Sequence, residues 1–202
     1  MSYTTTAIQI LRNKFYELKW YEVYDFIEFC LAEFSFDKKF IDELNEILDE
    51  ENVPYRIIEN LVTPLISKEE VEEINCALSI QDRYQPVKKH IKKSLKHYST
   101  RPKADYQNSI KESVSALEAL ARVVTGKQNN TFGQLCDELL IHPALRDGLK
   151  KIYGWTCDEN GVRHSEKNYP SLSADEEEAR LMLVLSSAFV NYIISKNDKY
   201  AI

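Results

Sequence analysis

Ile110-Lys111-Glu112-Ser113-Val114-Ser115-Ala116-Leu117-Glu118-Ala119-Leu120-Ala121-Arg122-Val123-Val124-Thr125-Gly126 sets apolar side chains at Ile110, Val114, Leu117, Ala121 and Val124. Steps of three and four residues place these on one stripe of a helix. Gly126 follows at the position where a left-handed residue ends a helix. The run predicts a long core helix, and its neighbours repeat the pattern. Upstream, Pro86 is suited to a first helical turn. Val87, Ile91, Leu95 and Tyr98 then form a narrow apolar edge with lysines at the other angles. Downstream, shorter helices are predicted from about Thr131 to Leu140 and from Pro143 to Tyr153. A last, broad one follows from Ser173, where Glu176 three residues on completes a capping box. Its residues Leu181, Met182, Leu185, Ala188, Phe189, Tyr192 and Ile193 suit the central helix of a bundle.

The amino-terminal part continues in the same period. Ile8, Leu11, Phe15 and Leu18, then Val23, Phe26, Ile27, Cys30, Leu31 and Phe34, fit two helices or one bent one. Phe40, Ile41, Leu44, Ile47 and Leu48 make another before the break at Val53 and Pro54. Ser67 caps a short helix over Glu69 to Leu78, with Glu70 at the third position. Tyr55 to Ile66 is ambiguous between helix and strand. All five glycines lie between Gly126 and Gly161, so the first 125 residues lack the turn formers that a many-stranded sandwich or barrel needs. The fold class is all-α, a helical bundle. At 202 residues, 44% hydrophobic, the chain has enough apolar material for a real core and is not disordered as a whole.

A formal net charge of −6 conceals a segregation. Between Asp37 and Asp82 there are thirteen acidic residues against four basic ones. From Arg83 to Ala104 there are eight basic residues (Arg83, Lys88, Lys89, Lys92, Lys93, Lys96, Arg101 and Lys103) and no acid. Three readings fit this flip: a solvated helix face, a stripe that attracts the phosphates of RNA or DNA, or a surface that docks on the acidic half of this or another chain. Under the second, Lys88, Lys89, Lys92, Lys93 and Lys96 are the RNA-binding residues.

Several function classes lose their footing. No positively charged start leads into an apolar stretch, so a secretion signal is not expected and the chain is assigned to the cytoplasm. Leu181 to Ile194 is about 14 residues long and is interrupted by Ser186, Ser187 and Asn191, short of the roughly 18 of a spanning helix; no membrane contact is expected. Cys30, Cys76, Cys136 and Cys157 lack C-x-x-C spacing and are expected as buried free thiols. No phosphate-binding Walker loop, dinucleotide fingerprint or nucleophile elbow occurs.

Between the last two long helices, Gly154 to Leu172 lacks periodicity, and a long irregular segment is often functional. It contains Trp155-Thr156-Cys157-Asp158-Glu159-Asn160-Gly161-Val162-Arg163-His164-Ser165. An arginine fork holds phosphate oxygens while an imidazole titrates near neutrality, a combination useful on phosphodiesters. The Asp158-Asn160-Gly161 spacing lacks the closing glutamate of a calcium loop. Cys157 and His164 give only two of the three or four ligands that zinc needs. His90 and His97 stand seven apart and extend the positive face of the basic helix. No metal and no cofactor are expected.

The runs Asp105-Tyr106-Gln107-Asn108-Ser109-Ile110 through Ala119, Thr125-Gly126-Lys127, Ile141-His142-Pro143-Ala144-Leu145 and Asp158 to His164, with Glu51-Asn52-Val53-Pro54-Tyr55-Arg56 and Thr63-Pro64 earlier, resemble the AbiJ-type N-terminal domain of the HEPN superfamily. The resemblance implies a helical bundle from a bacterial abortive-infection or toxin–antitoxin type defence system. It divides the chain into an acidic helical region, 1–82, and a HEPN-like bundle, 83–202, or one continuous domain. It further implies a metal-independent ribonuclease acting on single-stranded RNA as a homodimer, with an antitoxin or other defence partner. Arg163 and His164 would be catalytic, and Glu112, Ser113, Asp158 and Asn160 supporting. HEPN ribonucleases space their Arg and His by several residues, whereas here the two are adjacent and point about 100° apart if helical. Arg83 and His90 have wider spacing but lie well upstream and are treated as a chance match. The alternative function is a non-catalytic interaction or regulatory module of the same kind of system.

Overall fold

A computed structural model of the chain describes residues 3–65, 67–157 and 174–200. They form nine α-helices and one two-stranded antiparallel hairpin, in two compact units, 1–64 and 65–202.

The first unit holds α1 (Tyr3–Glu17), α2 (Trp20–Glu33), α3 (Lys38–Glu50), β1 (Arg56–Ile58) and β2 (Leu61–Thr63). The apolar period over residues 8–34 resolves into two helices broken at Leu18 and Lys19. Asp37 starts α3 by accepting from the Phe40 amide at 2.9 Å, which satisfies one of the four open N–H groups of a helix start. Tyr55 to Thr63, unassigned by periodicity, contains a hairpin with Ile57 opposite Val62. Its two-residue turn, Glu59 and Asn60, has φ of 50° and 65°, the geometry that matches the twist of paired strands.

So small a hairpin has only edges, and the flanking helices cover them with side chains. The Asn45 amide pairs with both backbone groups of Ile57, at 2.7 and 3.0 Å, and Glu28 accepts from the Val62 amide at 2.7 Å. Leu31, Ile57 and Val62 form the small core, with Tyr24, Ile27, Ile41, Leu44, Leu48 and Tyr55 packed around them. Much of this unit's apolar surface stays outside: Ile8, Tyr16, Trp20 and Phe34 are all more than half exposed.

The second unit holds α4 (Lys68–Leu78), a 3-10 turn (Asp82–Tyr84), α5 (Gln85–Ser99), α6 (Tyr106–Thr125), α7 (Phe132–Glu138), α8 (Pro143–Cys157) and α9 (Glu176–Tyr200). α5 lies along α6, α6 along α9 and α9 along α4, with α7 and α8 added beside α6. Most of the stripe read from the sequence is buried: Ile91 and Leu95 on α5 and Ile110, Val114, Leu117 and Ala121 on α6 have lost nearly all contact with solvent, while Val124 is half-buried. Gly126 ends α6 at φ 73°, which a side chain would strain.

Polar contacts hold α4 to α9. Arg180 donates twice to Glu70 through Nε at 3.1 Å and once through Nη2 at 2.7 Å, and Asn191 Nδ2 reaches the Glu73 carbonyl and carboxylate at 2.9 and 2.7 Å. α9 is, among the described residues, the one helix long and apolar enough by composition to cross a membrane. On it Met182, Leu183 and Val190 are fully buried in this unit, whereas Leu181 is exposed.

Three expectations change. α8 runs through Gly154 to Cys157, past the end expected at Tyr153, because its last turns are packed. Tyr153 stacks on Phe132 at 4.5 Å and donates to Glu118 at 2.9 Å, and Thr156 is buried. The cap of α9 is Asp175, which accepts from the Glu177 and Glu178 amides at 3.0 and 3.3 Å; Ser173 lies outside the described residues. Of the cysteines, Cys136 is buried, Cys30 and Cys157 are half-buried and Cys76 is exposed. Burial pushes the Cys136 thiol up to about 11, so at neutral pH almost none of it is the reactive thiolate. In the native protein a maleimide is expected to label Cys76 first and Cys136 only after denaturation, checked by mass spectrometry of digested protein. Labelling of native Cys136 at the Cys76 rate would contradict its burial.

Candidate nucleic-acid interface

The basic segment forms α5, whose buried edge is Val87, Ile91, Ser94, Leu95 and Tyr98. With that edge fixed against α6 and α9, the lysines must point elsewhere. Gln85, Pro86, Lys88, Lys89, His90, Lys92 and Lys93 line an open groove of about 960 Å³. Four of these lining residues are lysines, and α5 contains no acid to offset them. Lys96, one turn on, is exposed on the same helix. Such a surface lowers the free energy of a nearby polyanion without regard to its sequence.

One acid reaches this groove from the neighbouring helix. Glu112 of α6 places Oε2 2.6 Å from His90 Nδ1 and Oε1 3.7 Å from Lys93 Nζ. Burial raises the Glu112 carboxyl, but the hydrogen bond from His90 and the charges of His90, Lys93 and His97 outweigh it and hold the group below its ordinary value of 4.5. The unfolded chain therefore binds more protons here than the native one. Stability from this pair is present above the ordinary value and is lost as the pH falls through and below it. Urea midpoints of the parent are expected to fall more steeply below about pH 5 than those of Glu112→Gln. Equal slopes would mean that the carboxylate is not held by its neighbours.

The register that brings Glu112 to His90 is set by three buried hydroxyls. Ser94 Oγ lies 2.9 Å from the Ser109 carbonyl and 2.7 Å from Ser113 Oγ, and Ser109 Oγ lies 3.0 Å from the Ser94 carbonyl. One proton per hydroxyl gives a consistent pattern: Ser94 and Ser109 donate to each other's carbonyls, and Ser113 donates to Ser94. Small side chains let α5 and α6 come close, and buried hydroxyls that must be paired allow little sliding.

Of the residues singled out from the sequence, the structure thus gathers Lys88, Lys89, Lys92 and Lys93 in one groove and sets Glu112 at its edge. Ser113 is buried in the hydroxyl cluster. Arg163, His164, Asp158 and Asn160 lie outside the described residues. Arg83 sits on the 3-10 turn with its guanidinium 4.7 Å from the centre of the Tyr84 ring. His90, read from the sequence as part of a positive face and, with Arg83, as a chance match, has a specific carboxylate partner. The available signal was a serine on the apolar edge of α5, Ser94, together with Ser109 and Ser113 four apart on α6. Among the described residues no three His, Cys, Asp or Glu side chains come together as a metal site.

No curated protein and no solved structure matches the chain. Residues 1–79 match the family model described as AbiJ N-terminal domain 4. The matched residues include Glu51 to Arg56 and Thr63-Pro64, while the runs from Asp105 to His164 lie beyond them. Over residues 1–79, then, the chain is similar to an AbiJ-type N-terminal domain.

Proposed function

We propose that the chain is an RNA-binding protein of abortive-infection defence, with the lysine face of α5 as its phosphate track. We further propose that it cleaves the bound single strand without a metal, through Arg163 and His164, in the cytoplasm and as a homodimer. The observation that carries the reading is the groove of α5, where Lys88, Lys89, Lys92 and Lys93 stand together without an acid of their own helix. Cleavage would be attack of a ribose 2′-hydroxyl on the adjacent phosphate, so RNA and not DNA is the substrate. His164 would assist as acid or base and Arg163 would meet the charge that develops on the phosphate.

The test has two parts. Fluorescence anisotropy with a labelled single-stranded RNA is expected to show affinity falling with salt, with a slope of about −3 in log–log form if four phosphates are neutralised. Changing Lys88, Lys89, Lys92 and Lys93 to Gln is expected to remove most of that slope. Incubation of the same RNA in EDTA is expected to give cleavage by the parent and none by Arg163→Ala, His164→Ala. Affinity independent of salt and of the lysines would overturn the binding reading.

A second reading, a non-catalytic interaction module, is favoured by the exposed Ile8, Leu11, Tyr16 and Trp20 of the first unit, since exposed apolar side chains in number mark surfaces made for protein partners. It predicts RNA that stays intact with the parent.

A further inference from the structure

We propose that His90, held by Glu112, is an acid–base catalytic residue of the α5 groove and takes the 2′-hydroxyl proton of an RNA strand lying along the lysines. The inference rests on the RNA reading above and adds to it a reacting group that the Arg163–His164 pair does not include.

The geometry is that of an oriented imidazole. His90 lines the groove with four lysines, and its side chain is 30% exposed, whereas that of its partner Glu112 is only 16% exposed. The ring therefore reaches solvent while the carboxylate is mostly covered. Nδ1 is committed to Glu112 Oε2 at 2.6 Å, well within hydrogen-bond reach. With the proton on Nδ1 facing the carboxylate, Nε2 carries the lone pair and becomes the basic atom. Lys93 lies against the other carboxylate oxygen at 3.7 Å, so one acid orients both a base and a phosphate-binding cation. The serine cluster one turn along α5 keeps this pairing in register.

A structural His–Glu pair needs no opening beside it. This one adjoins a groove whose volume is at the upper end of small-molecule sites and whose walls attract phosphate. The charged groups around the ring are Lys88, Lys89, Lys92 and Lys93 from α5 and Glu112 from α6, with His97 acting on the carboxylate.

The step balances with water alone. Nε2 accepts the proton of the 2′-hydroxyl, the 2′-oxygen forms a bond to phosphorus, and the bond from phosphorus to the 5′-oxygen breaks. The products are a 2′,3′-cyclic phosphate and a free 5′-hydroxyl, the 5′-oxygen having taken a proton from water. The hydroxide left behind removes the proton from the imidazolium. Glu112 is a positioning residue in this scheme, because it acts on the ring and not on the RNA.

The experiment uses the full chain, in EDTA, with a labelled RNA that carries one ribonucleotide in an otherwise 2′-deoxy strand, under single-turnover conditions from pH 5 to 9. His90→Ala and His90→Gln are expected to lower the rate by about a hundred- to ten-thousand-fold, with RNA affinity changed less than about threefold because the lysines remain. Glu112→Gln is expected to lower the rate less. Its effect should fall on the single-turnover rate and not on RNA affinity, and Glu112→Asp, which keeps a carboxylate for the ring, should restore part of that rate. Retained RNA binding and an unchanged circular dichroism spectrum show that the variants are folded, and His90→Gln serves where His90→Ala is not. A cleaving His90→Gln protein at the parent rate overturns the assignment and leaves the ribonuclease reading intact. A parent that binds RNA and does not cut it overturns the assignment while binding stands, and a parent that neither binds nor cuts overturns both.

Discussion

An Asp49→Asn protein is expected to unfold at markedly lower urea than the parent. Asp49 is the carboxylate paired with Arg56, whose side chain is only 4% exposed. Removing one partner of a buried ion pair leaves a charge in a medium that solvates it poorly, at a cost of about 3–5 kcal/mol. Asp49 itself is 38% exposed, so water screens part of the pair and the lower end of that range applies. The bonds from Arg56 Nη1 to the Val53 and Tyr55 carbonyls, both 2.8 Å, remain in the variant but supply no opposite charge. The pairing also ties the end of α3 to the entry of β1, so its loss should be felt as faster hydrogen exchange at the Ile57 amide. Unchanged urea midpoints would mean that the two carbonyls alone satisfy the guanidinium.

Leu120→Ala should be the most damaging single truncation in the second unit, at about 2–5 kcal/mol. Leu120 sits on α6, the helix that contacts α5, α7, α8 and α9, and it is 1% exposed. Several rigid neighbours cannot all move into the space left by the missing methyl groups. The upper part of the range is therefore expected. Leu181→Ala, on an exposed position of α9, is the control and should change the midpoint little. A Leu120→Ala protein as stable as that control would require the core around α6 to be loosely packed.

What the sequence made legible was local in origin. The apolar steps of α5 and α6 and the left-handed stop at Gly126 each depend on residues within a few turns of one another, and the structure has them; of the face expected on α9 it buries Met182 and Ile193 but leaves Leu181 exposed. The hairpin was hidden because its strands are three residues each and its turn lacks glycine. Glu59 and Asn60 take the positive φ values that an Asn-Gly pair would have announced. In hindsight Arg56-Ile57-Ile58 and Leu61-Val62-Thr63 around a polar pair was the available sign. Gly154 misled in the opposite direction. A glycine inside a helix costs only about 1 kcal/mol against alanine, which the packing of Tyr153 and Thr156 offsets.

The pairing of His90 with Glu112 was illegible for a different reason. It depends on how far α5 has slid along α6, and that is fixed by Ser94, Ser109 and Ser113 across two helices. Glu112 could be named from a resemblance and the lysines from their charge. No rule of spacing joins residues on separate helices, so the imidazole between them passed as one more surface cation.

The chain contains two tryptophans, and the structure puts Trp20 on α2 of the first unit and Trp155 on α8 of the second. Each unit thus has its own fluorophore. Both indoles touch water, at 57% and 37% exposure, so quenching by iodide reaches them without denaturation. Excited where tyrosine does not absorb, a Trp20→Phe protein glows only from the carboxy-terminal unit, and a Trp155→Phe protein only from the amino-terminal one. With that pair, the order in which the two units melt can be watched without attaching a dye.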